Sequence, residues 1–589
     1  MLLGLHYAIW IVVAIYFAGM LLLGWWSKKG IVDREGFLLG NRQFGVWYMV
    51  MHAFGAGTHP GDVAGVTSKT VERGASGIWV SWMWMFGTPF YWLIAPIMRR
   101  MRCLTVADYF EERFGPAAAV LYVAVASVGM TIACASILLA TTRTVQGMMG
   151  KATVIEEAPA PAVDAVDASA APAEGSPAER PLWQARGVET RAEEEAWFFG
   201  ILIVTTAVFV IYSYWGGIVA AIKTDMAQGL MIIALSFIAI PSALALAGGW
   251  DNVLETLARR SDESVNYLAL FDRKMFSLWS VLLLCINAPF SMIAQPHVMS
   301  VSAAGRTEWE GRVGFTYGNI LKRICTMGWC ILGLAWLAYL VDRGTTVHAD
   351  AAFGDSVRFL LHPVLQGLML ACVMAAAMSS GDALQVTIAG LFSQNIYRRH
   401  IRPDASERHY ITATRVAGLV IIGGALVFAI VMRKSVVQAI LDYFNLTACV
   451  GVSVVMGILW RRMNTAGVFA SVILAAGTFL LTRYALEMGQ LAKTGLPLAA
   501  GAVGGLIGSL LTQAPRPERI DPFFKKIYTP IGQEDRLALP LDEVVPPSAR
   551  LLTAGGLFLV KPSRQSWLGF LVALAICLVL VGAMVLLLT

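Results

Sequence analysis

Charged residues are scarce in this chain of 589 residues: Asp, Glu, Lys and Arg make up 14% of it, while 57% of the residues are hydrophobic. A soluble domain carries about 25% charged residues, so the composition predicts an integral membrane protein. The formal net charge of +6 implies no nucleic-acid partner, because the basic residues cluster beside apolar segments, where membrane topology places them.

Cysteine is also infrequent, and the eight cysteines show the spacing of neither a disulfide framework nor a metal site. We interpret them as small core residues. No nucleophile–base pair or metal-ligand cluster stands out, so we expect no enzymatic activity. A cleavable signal peptide is not expected either, because residues 2–26 are too long for its apolar core and no small-residue cleavage site follows.

Long apolar segments are abundant, and about 20 residues are enough for a helix to cross a bilayer. The predicted fold is therefore an all-α integral membrane protein with about 14 spans. They are predicted near residues 5–26, 44–67, 76–98, 117–146, 197–215, 217–246, 276–302, 318–341, 360–397, 409–432, 435–461, 464–485, 497–513 and 566–588.

Basic residues in the short loops predict the orientation, since cytoplasmic loops carry an excess of Lys and Arg. The loops after the first, third, seventh, ninth and eleventh spans should be cytoplasmic, which places both termini outside a cell inner membrane. The basic residues used are Lys28, Lys29, Arg34, Arg42, Arg99, Arg100, Arg102, Arg306, Arg312, Lys322, Arg323, Arg398, Arg399, Arg402, Arg408, Arg461 and Arg462.

Three segments outside the spans have distinct compositions. Residues 150–196 hold ten acidic and four basic residues and few bulky apolar ones, which predicts a disordered external linker. Residues 105–114 predict a short amphipathic helix on the cytoplasmic surface, capped at its start. Residues 513–565 are predicted to be a cytoplasmic segment that docks through Phe523, Phe524 and Tyr528.

The most informative segment is 376–382, where Ser379 and Ser380 interrupt an otherwise apolar span. Polar groups at membrane depth are costly and usually mark a path for an ion or a substrate. Hydroxyl oxygens suit a hard cation such as sodium. The alternative is that both serines bond back to their own helix or to a neighbouring one.

Two spans contain sequence breaks. The second has glycine and proline around Thr58 and His59, and the seventh is predicted to break at 287–291 and again at Gln295. Backbone carbonyls freed at membrane depth must line a cavity or bind something. Two breaks five spans apart indicate a transporter built from inverted repeats, although ordinary helix kinking is the alternative for either break alone.

If the ninth span faces the second, five oxygens can form a site for a monovalent cation. They are the carbonyls of Gly55, Thr58 and Ala376 and the hydroxyls of Ser379 and Ser380.

Asp225, early in the sixth span, either serves a second ion or caps the start of its helix, and the cap is slightly favoured. The other ionisable candidates are His52, His59, Asp62 and Asp382. A histidine near a helix break is more often a structural donor than a proton carrier.

The chain resembles the sodium/solute symporter family, which includes sodium-coupled carriers of sugars, proline, pantothenate and sialic acid. The resemblance runs from about residue 5 to 485 without the linker. Its motifs are GFLLGNR (36–42), LTVADYFEERFG (104–115), YWGGIVAAIKTDMAQ (214–228), QPH (295–297), AAMSS (376–380), IY (396–397) and LWRRMNTAG (459–467).

The resemblance implies a core of two inverted five-helix repeats, of the leucine-transporter type. Residues 44–246 would form the first repeat and 276–461 the second. Residues 1–43 would then supply an extra helix and a cytoplasmic loop, and 462–589 the C-terminal extra helices.

By the same resemblance, sodium is held by Gly55, Thr58, Ala376, Ser379 and Ser380, and Asp225 matches an acidic position linked to a second sodium. The implied solute-contacting residues beside the breaks are His59, Asp62, Asn287, Phe290 and Gln295, with Phe290 near the place of an inner gate. Two hydroxyls that accompany the second sodium in some relatives are replaced here by Asp382 and Ala383, which favours one sodium per cycle.

We therefore expect a sodium-driven symporter of a small polar solute, working as a monomer in the lipid bilayer by alternating access, with Na⁺ as its coupling ion. The alternatives are a proton-coupled symporter of the same fold and a membrane sensor that binds solute without transport. Sugars, amino acids, carboxylates and vitamins all stay open as the solute.

Overall fold

The computed structural model describes residues 4–27, 42–103, 105–152, 188, 190–215, 218–261, 265–344, 347–433, 435–552 and 554–589. Most of the linker predicted over 150–196 lies outside these residues. So do Lys28, Lys29 and Arg34, which supported the predicted orientation, and most of the 36–42 motif.

The described residues are mainly helical. In chain order the α-helices are α1 (Tyr7–Ser27), α2 (Val46–Gly57), α3 (Pro60–Arg73), α4 (Trp79–Trp82), α5 (Thr88–Arg100), α6 (Val106–Phe114), α7 (Pro116–Met148), α8 (Arg191–Trp215), α9 (Ile218–Ile238), α10 (Ile240–Leu246), α11 (Trp250–Arg260), α12 (Leu278–Ala294), α13 (Pro296–Ala303), α14 (Glu308–Asp342), α15 (Ala352–Leu360), α16 (Pro363–Leu391), α17 (Glu407–Val431), α18 (Val436–Leu459), α19 (Thr465–Leu480), α20 (Gln490–Leu510), α21 (Pro517–Tyr528), α22 (Leu541–Val544) and α23 (Arg564–Leu588).

Shorter elements complete the chain. There are 3-10 turns at Gly74–Ile78, Ala349–Ala351, Glu534–Ala538, Pro547–Ala549 and Ala554–Gly556, and π-helical stretches at Phe392–Ile401 and Leu481–Ala485. Strands β1 (Arg550–Leu552) and β2 (Leu559–Val560) pair antiparallel.

Within the described ranges, nine helical segments are long and apolar enough to cross a membrane, and the bent pair α12–α13 makes a tenth. The other predicted spans coincide with α1, with the pair α2–α3, with α4–α5 and with α8. The prediction of a multi-pass helical membrane protein is therefore confirmed.

The break in the second span lies where it was predicted. Helix α2 ends at Gly57, Thr58 and His59 are extended, and α3 begins at Pro60. Proline suits the first helical position because it has no N–H to leave unpaired. The Asp62 carboxylate accepts the His59 backbone N–H at 3.1 Å, which closes the start of α3.

The seventh span breaks once, so one of its two predicted interruptions is wrong. Helix α12 continues through Pro289, and the bend of 73° falls at Gln295, between α12 and α13. Membrane helices tolerate an internal proline when neighbouring groups satisfy the freed carbonyl. The break therefore lies at the second predicted position alone.

The bounds of helix α14 show that two residues used to predict the membrane orientation do not lie in a loop. It begins at Glu308, ten residues before the predicted span, and the side chains of Lys322 and Arg323 are buried inside the helical bundle. These two residues were counted as loop residues that mark the cytoplasmic side. Their actual position gives them no value as topology markers.

Small residues bring α14 against α2. A Cβ atom added to Gly314 would lie 2.6 Å from the Cβ of Met49, and one added to Gly318 would lie 2.6 Å from the carbonyl oxygen of Val50. Only glycine allows backbones to approach so closely. This contact brings the next turn of α14, with Lys322, to the break between α2 and α3.

The predicted surface elements also form. Thr105 caps α6, and its backbone N–H donates to the Asp108 carboxylate at 2.9 Å. Phe523 and Phe524 are buried, with the ring of Phe523 5.4 Å from that of Tyr109. The Tyr528 hydroxyl donates to the carbonyl of Phe558. The predicted docking through these aromatic residues is confirmed.

Candidate functional site

The ninth predicted span, α16, faces the break between α2 and α3. The Oγ atom of Ser380 lies 3.2 Å from the carbonyl oxygen of Gly55 and 3.2 Å from that of Thr58. A hydroxyl has one proton, so it donates to one of these carbonyls at a time. Three oxygens therefore converge at a point enclosed by protein, and we call them the oxygen cluster.

Ser379 connects this cluster to α9. Its hydroxyl donates to Oδ1 of Asp225, whose Oδ2 lies 2.6 Å from Nδ1 of His52. All three side chains are buried. Because the Ser379 proton points at the carboxylate, the lone pairs of its oxygen are free for another partner.

Close packing explains the glycine at position 55. A Cβ atom there would lie 2.9 Å from Oγ of Ser379 and 3.3 Å from Cγ of Asp225. A larger residue would therefore force α2 away from α16 and α9. Ala376 is buried on α16 and precedes Ser380 by four residues, which places it on the same helical face.

Asp225 does not cap its helix, contrary to the preferred interpretation of the sequence. It is the eighth residue of α9, well past the first turn. Both of its oxygens already have side-chain partners, Ser379 and His52.

A second polar group lies at the same break, and the sequence interpretation missed its central residue. The Nζ atom of Lys322 is 2.8 Å from Oδ2 of Asp62 and donates to the carbonyl oxygen of Gly57. The ring of His59 adjoins the same carboxylate, with Nε2 3.6 Å from Oδ2. Asp62 and His59, both predicted solute contacts, are thus joined to a buried lysine.

Arg323, the next residue, points to the irregular stretch between α4 and α5. Its Nη1 donates to the carbonyl of Ser81 at 2.8 Å, and its Nη2 lies 3.4 Å from Oγ1 of Thr88. In the part of the chain that the structure describes, no carboxylate forms an ion pair with this guanidinium. It therefore supplies donors to α4 and to the start of α5, on the two sides of this stretch.

A small internal cavity of about 50 Å³ lies between the Ser380 hydroxyl and the side chains of His59 and Lys322. This volume holds a few water molecules. Polar side chains and a tryptophan from both broken helices and their neighbours line it: His59, Trp84, Gln295, His297, Asn319, Lys322 and Ser380.

Comparison with known proteins identifies the family. The model of the sodium:solute symporter family matches residues 37–160 and 198–475, which is more than half of the chain. The chain belongs to the sodium:solute symporter family.

This family member is similar to characterised transporters along most of its length. It is 24% identical over 523 residues to the osmoregulated proline transporter OpuE of Bacillus subtilis, covering 85% of this chain and 94% of the relative. It is 22% identical over 523 residues to the sodium/proline symporter of Escherichia coli, covering 85% and 92%.

A solved structure shares the fold of this family member. It is the substrate-bound outward-open state of a Na⁺-coupled sialic acid symporter, with a TM-score of 0.69 and 16% sequence identity, covering 87% of this chain and 99% of that one. The predicted leucine-transporter type of fold is confirmed by this likeness.

Not every predicted solute residue of the symporter reaches the cavity. Gln295 and His59 line it, whereas Phe290 lines a separate apolar cleft of about 940 Å³ between α5, α12, α18 and α20. Asn287 is buried on α12 and is absent from the lining of both. The side chain of Asp382 lies outside the described part of the chain.

Lys322 and Arg323 are the residues that sequence reasoning assigned wrongly. A signal was available: two adjacent basic residues lie inside the apolar segment predicted as a span over 318–341. Ionisable residues within a span are functional candidates by default. Treating them as topology markers hid that signal.

Proposed function

We propose that this protein is a secondary active symporter that couples the entry of Na⁺ to the uptake of a small polar organic solute. One observation carries the proposal: at the α2–α3 break, the hydroxyl of Ser380 lies 3.2 Å from the carbonyl oxygens of both Gly55 and Thr58. Unwound carbonyls opposite a neighbouring helix are how transporters of this architecture hold Na⁺.

In the proposed sodium site, Ala376 and Ser379 add oxygens from α16 to the cluster. All the ligands are neutral, which suits a monovalent ion that must later leave. The Asp225 carboxylate accepts a hydrogen bond from the Ser379 hydroxyl. It therefore turns the lone pairs of the hydroxyl oxygen toward the ion and supplies a negative charge nearby. We propose this orienting role for Asp225 rather than a second ion.

Coupling follows from which elements the ion joins. Sodium held between α16 and the α2–α3 break stabilises the arrangement in which these elements are close. A solute in the adjacent cavity binds the same arrangement, so each ligand raises the affinity for the other. The inward sodium gradient and the membrane potential, worth about 2.3 kcal/mol per charge per 100 mV, then drive uptake.

The solute is proposed to contact His59, Gln295 and their neighbours in the cavity. The cavity of about 50 Å³ has room for a few water molecules and not for a solute of that kind. Solute binding therefore requires lining helices other than α16 and the α2–α3 break, such as α7 and α18, to move outward. Relatives are named for proline, sialic acid, pantothenate, mannose and inositol, which all offer several hydrogen-bonding groups. These five solutes form the first panel to test.

The remaining predictions complete the proposal. The two repeats are 44–246 and 276–461, the termini lie outside, the location is a cell inner membrane, and a single chain is the working unit. The repeats place the breaks, α2–α3 and α12–α13, at corresponding positions.

Uptake into proteoliposomes tests the proposal. Each radiolabelled solute of the panel is offered with an inward gradient of sodium chloride, of choline chloride, or of protons at equal sodium. Accumulation above equilibrium that requires the sodium gradient supports symport. Accumulation driven by protons alone, or binding of solute without accumulation, would overturn it.

A further inference from the structure

The break between α2 and α3 exposes a second set of oxygens, and a side chain of the protein already fills it. The Gly57 carbonyl and Oδ2 of Asp62 both contact the ammonium of Lys322. The lysine side chain is 7% exposed and the carboxylate 6%. Carbonyl and carboxylate oxygens are the ligands of hard cations in proteins, and carbonyls at a helix break coordinate Na⁺ in transporters.

The chain order shows how close the two sets are. Gly57 lies between Gly55 and Thr58, whose carbonyls belong to the oxygen cluster. The end of α2 and the extended residue after it therefore offer carbonyls to two cation positions, one facing α16 and one facing α14. Nζ of Lys322 fills the position facing α14, whereas the position facing α16 holds the carbonyls of the oxygen cluster and the hydroxyl of Ser380.

Charge balance explains why a mobile ion would not bind beside Lys322 at the Gly57 carbonyl and the Asp62 carboxylate. The ammonium neutralises Asp62, the carboxylate at this end of α3. A second cation placed on the same oxygens would meet the positive charge of Lys322 at short range, where a buried environment screens little. Without the lysine, Asp62 would keep the ring of His59, 3.6 Å away, as its ion-pair partner in the described part of the chain. A buried carboxylate that has lost the full positive charge beside it is strongly unfavourable.

We propose that Lys322 is a tethered cation that permanently occupies the second cation position of the α2–α3 break, so that the transport cycle uses a single mobile Na⁺. This inference rests on the proposed sodium-coupled function. The lysine holds the Gly57 carbonyl in place, and the flanking carbonyls stay aimed at Ser380.

Lys322 also lines the cavity, so the competing role is direct contact with the solute. The two roles differ in a measurable way. Removal of a tethered cation changes the number of sodium ions bound in the absence of solute. Removal of a solute contact leaves that number unchanged.

The test measures sodium linkage on the full chain in detergent, with sodium chloride as the only ligand and choline chloride holding the ionic strength constant. A ligand that binds the folded state alone stabilises it in proportion to the logarithm of its concentration, once for every ion bound. The variants are Lys322→Met, Lys322→Met with Asp62→Asn, and Lys69→Met. Lys69 is the matched control because it pairs with Glu72 on α3, away from the break.

The expected result is a one-ion slope of melting temperature against the logarithm of sodium concentration in the wild type and in Lys69→Met. The slope should double in Lys322→Met, because the freed Asp62 recruits a second sodium. It should return to the wild-type value in the double variant, where the carboxylate is also gone.

Three outcomes would overturn the inference. An unchanged slope in Lys322→Met assigns the lysine to the solute or to structure, and a two-ion slope in the wild type leaves no place for a tethered cation. No sodium slope in the wild type overturns the proposed function as well, which the uptake assay reports independently.

Misfolding of Lys322→Met does not remove the test. The wild type still tests the single mobile ion, because titration of its tryptophan fluorescence with sodium chloride should fit a single site. Cooperative binding of two ions contradicts the inference.

Discussion

The hydroxyl of Ser380 is the group on which the proposed sodium site most depends. Replacing Ser380 with Ala removes the α16 oxygen that lies 3.2 Å from two carbonyls. A lost polar contact of about 1.4 kcal/mol corresponds to a tenfold change in affinity, so the half-activating sodium concentration should rise about tenfold. Sodium-dependent uptake measures this change.

Ser393 provides the matched control for that variant. Its buried hydroxyl contacts the carbonyl of Tyr410, so Ser393→Ala makes the same chemical change away from the break. Equal sodium activation of the two variants would argue against Ser380 as a ligand.

Gly55 is predicted to tolerate no side chain. Gly55→Ala places a Cβ 2.9 Å from Oγ of Ser379, and overpacking of this kind costs about 1–3 kcal/mol. The melting temperature should fall, and stabilisation by sodium should be lost. Gly200→Ala is the control: nothing lies within 4 Å of its added Cβ on α8, and alanine is the better helix former. A Gly55→Ala protein with normal sodium stabilisation would contradict the assigned site.

For single residues, the sequence predicted the chemical type of the site residues better than the direction in which each side chain points. Ser379, Ser380, Gly55 and Thr58 were predicted as ligands because hydroxyls and glycines stand out in an apolar segment, and the structure brings them close together. The role of Lys322 depends on how α14 is rotated and on the close contact at Gly314 and Gly318, which a single sequence does not specify.

The orientation of Phe290 was missed for a related reason, since α12 stays helical through Pro289 and turns that ring to the apolar cleft.

Among whole elements, α21 is predicted to attach the segment after α20 to the transporter core. Phe524 is fully buried against Phe558, with their ring centroids 5.5 Å apart, and the Arg461 guanidinium lies over it. Phe524→Ala should cost about 3–5 kcal/mol, as for other large core truncations. The drop in melting temperature tests this against Leu551→Ala, a truncation at an exposed position. Equal melting temperatures would show that α21 does not dock stably.

The elements themselves were largely predictable, because their signals are local. Helix breaks at Thr58 and Gln295 follow from proline and glycine, and the cap of α6 follows from Thr105 and Asp108. The first turns of α14 were not predicted. They carry Glu308, Glu310 and Arg312, and a search for apolar residues excludes such polar turns although they are helical.

For the molecule as a whole, all eight cysteines are buried, which predicts low thiol reactivity. Cys103 lies outside the spans, between α5 and α6. Burial, with Glu112 and Asp108 nearby, raises the pKa of its thiol to about 12. Only the thiolate reacts with iodoacetamide, so the rate at Cys103 should keep rising with pH beyond the plateau of an ordinary thiol, whose pKa is about 8.5.

Mass spectrometry of the Cys103 peptide after timed alkylation between neutral and alkaline pH measures this rate in the folded protein. A Leu551→Cys variant supplies an exposed thiol in the same sample as the control. A plateau for Cys103 at the same pH as for that thiol would contradict the assigned environment.

The glycine contact between α14 and α2 has a consequence for how the transporter opens. Backbones that touch without intervening side chains have little freedom to slide, so α2 and α14 should move as one rigid body and keep Lys322 of α14 on the Gly57 carbonyl of α2. On the opposite side of the proposed sodium site, α16 contacts the break through the hydroxyl of Ser380. Release of the ion then requires only that α16 and its hydroxyls move away from the α2–α3 break, while the contact between α2 and α14 stays intact.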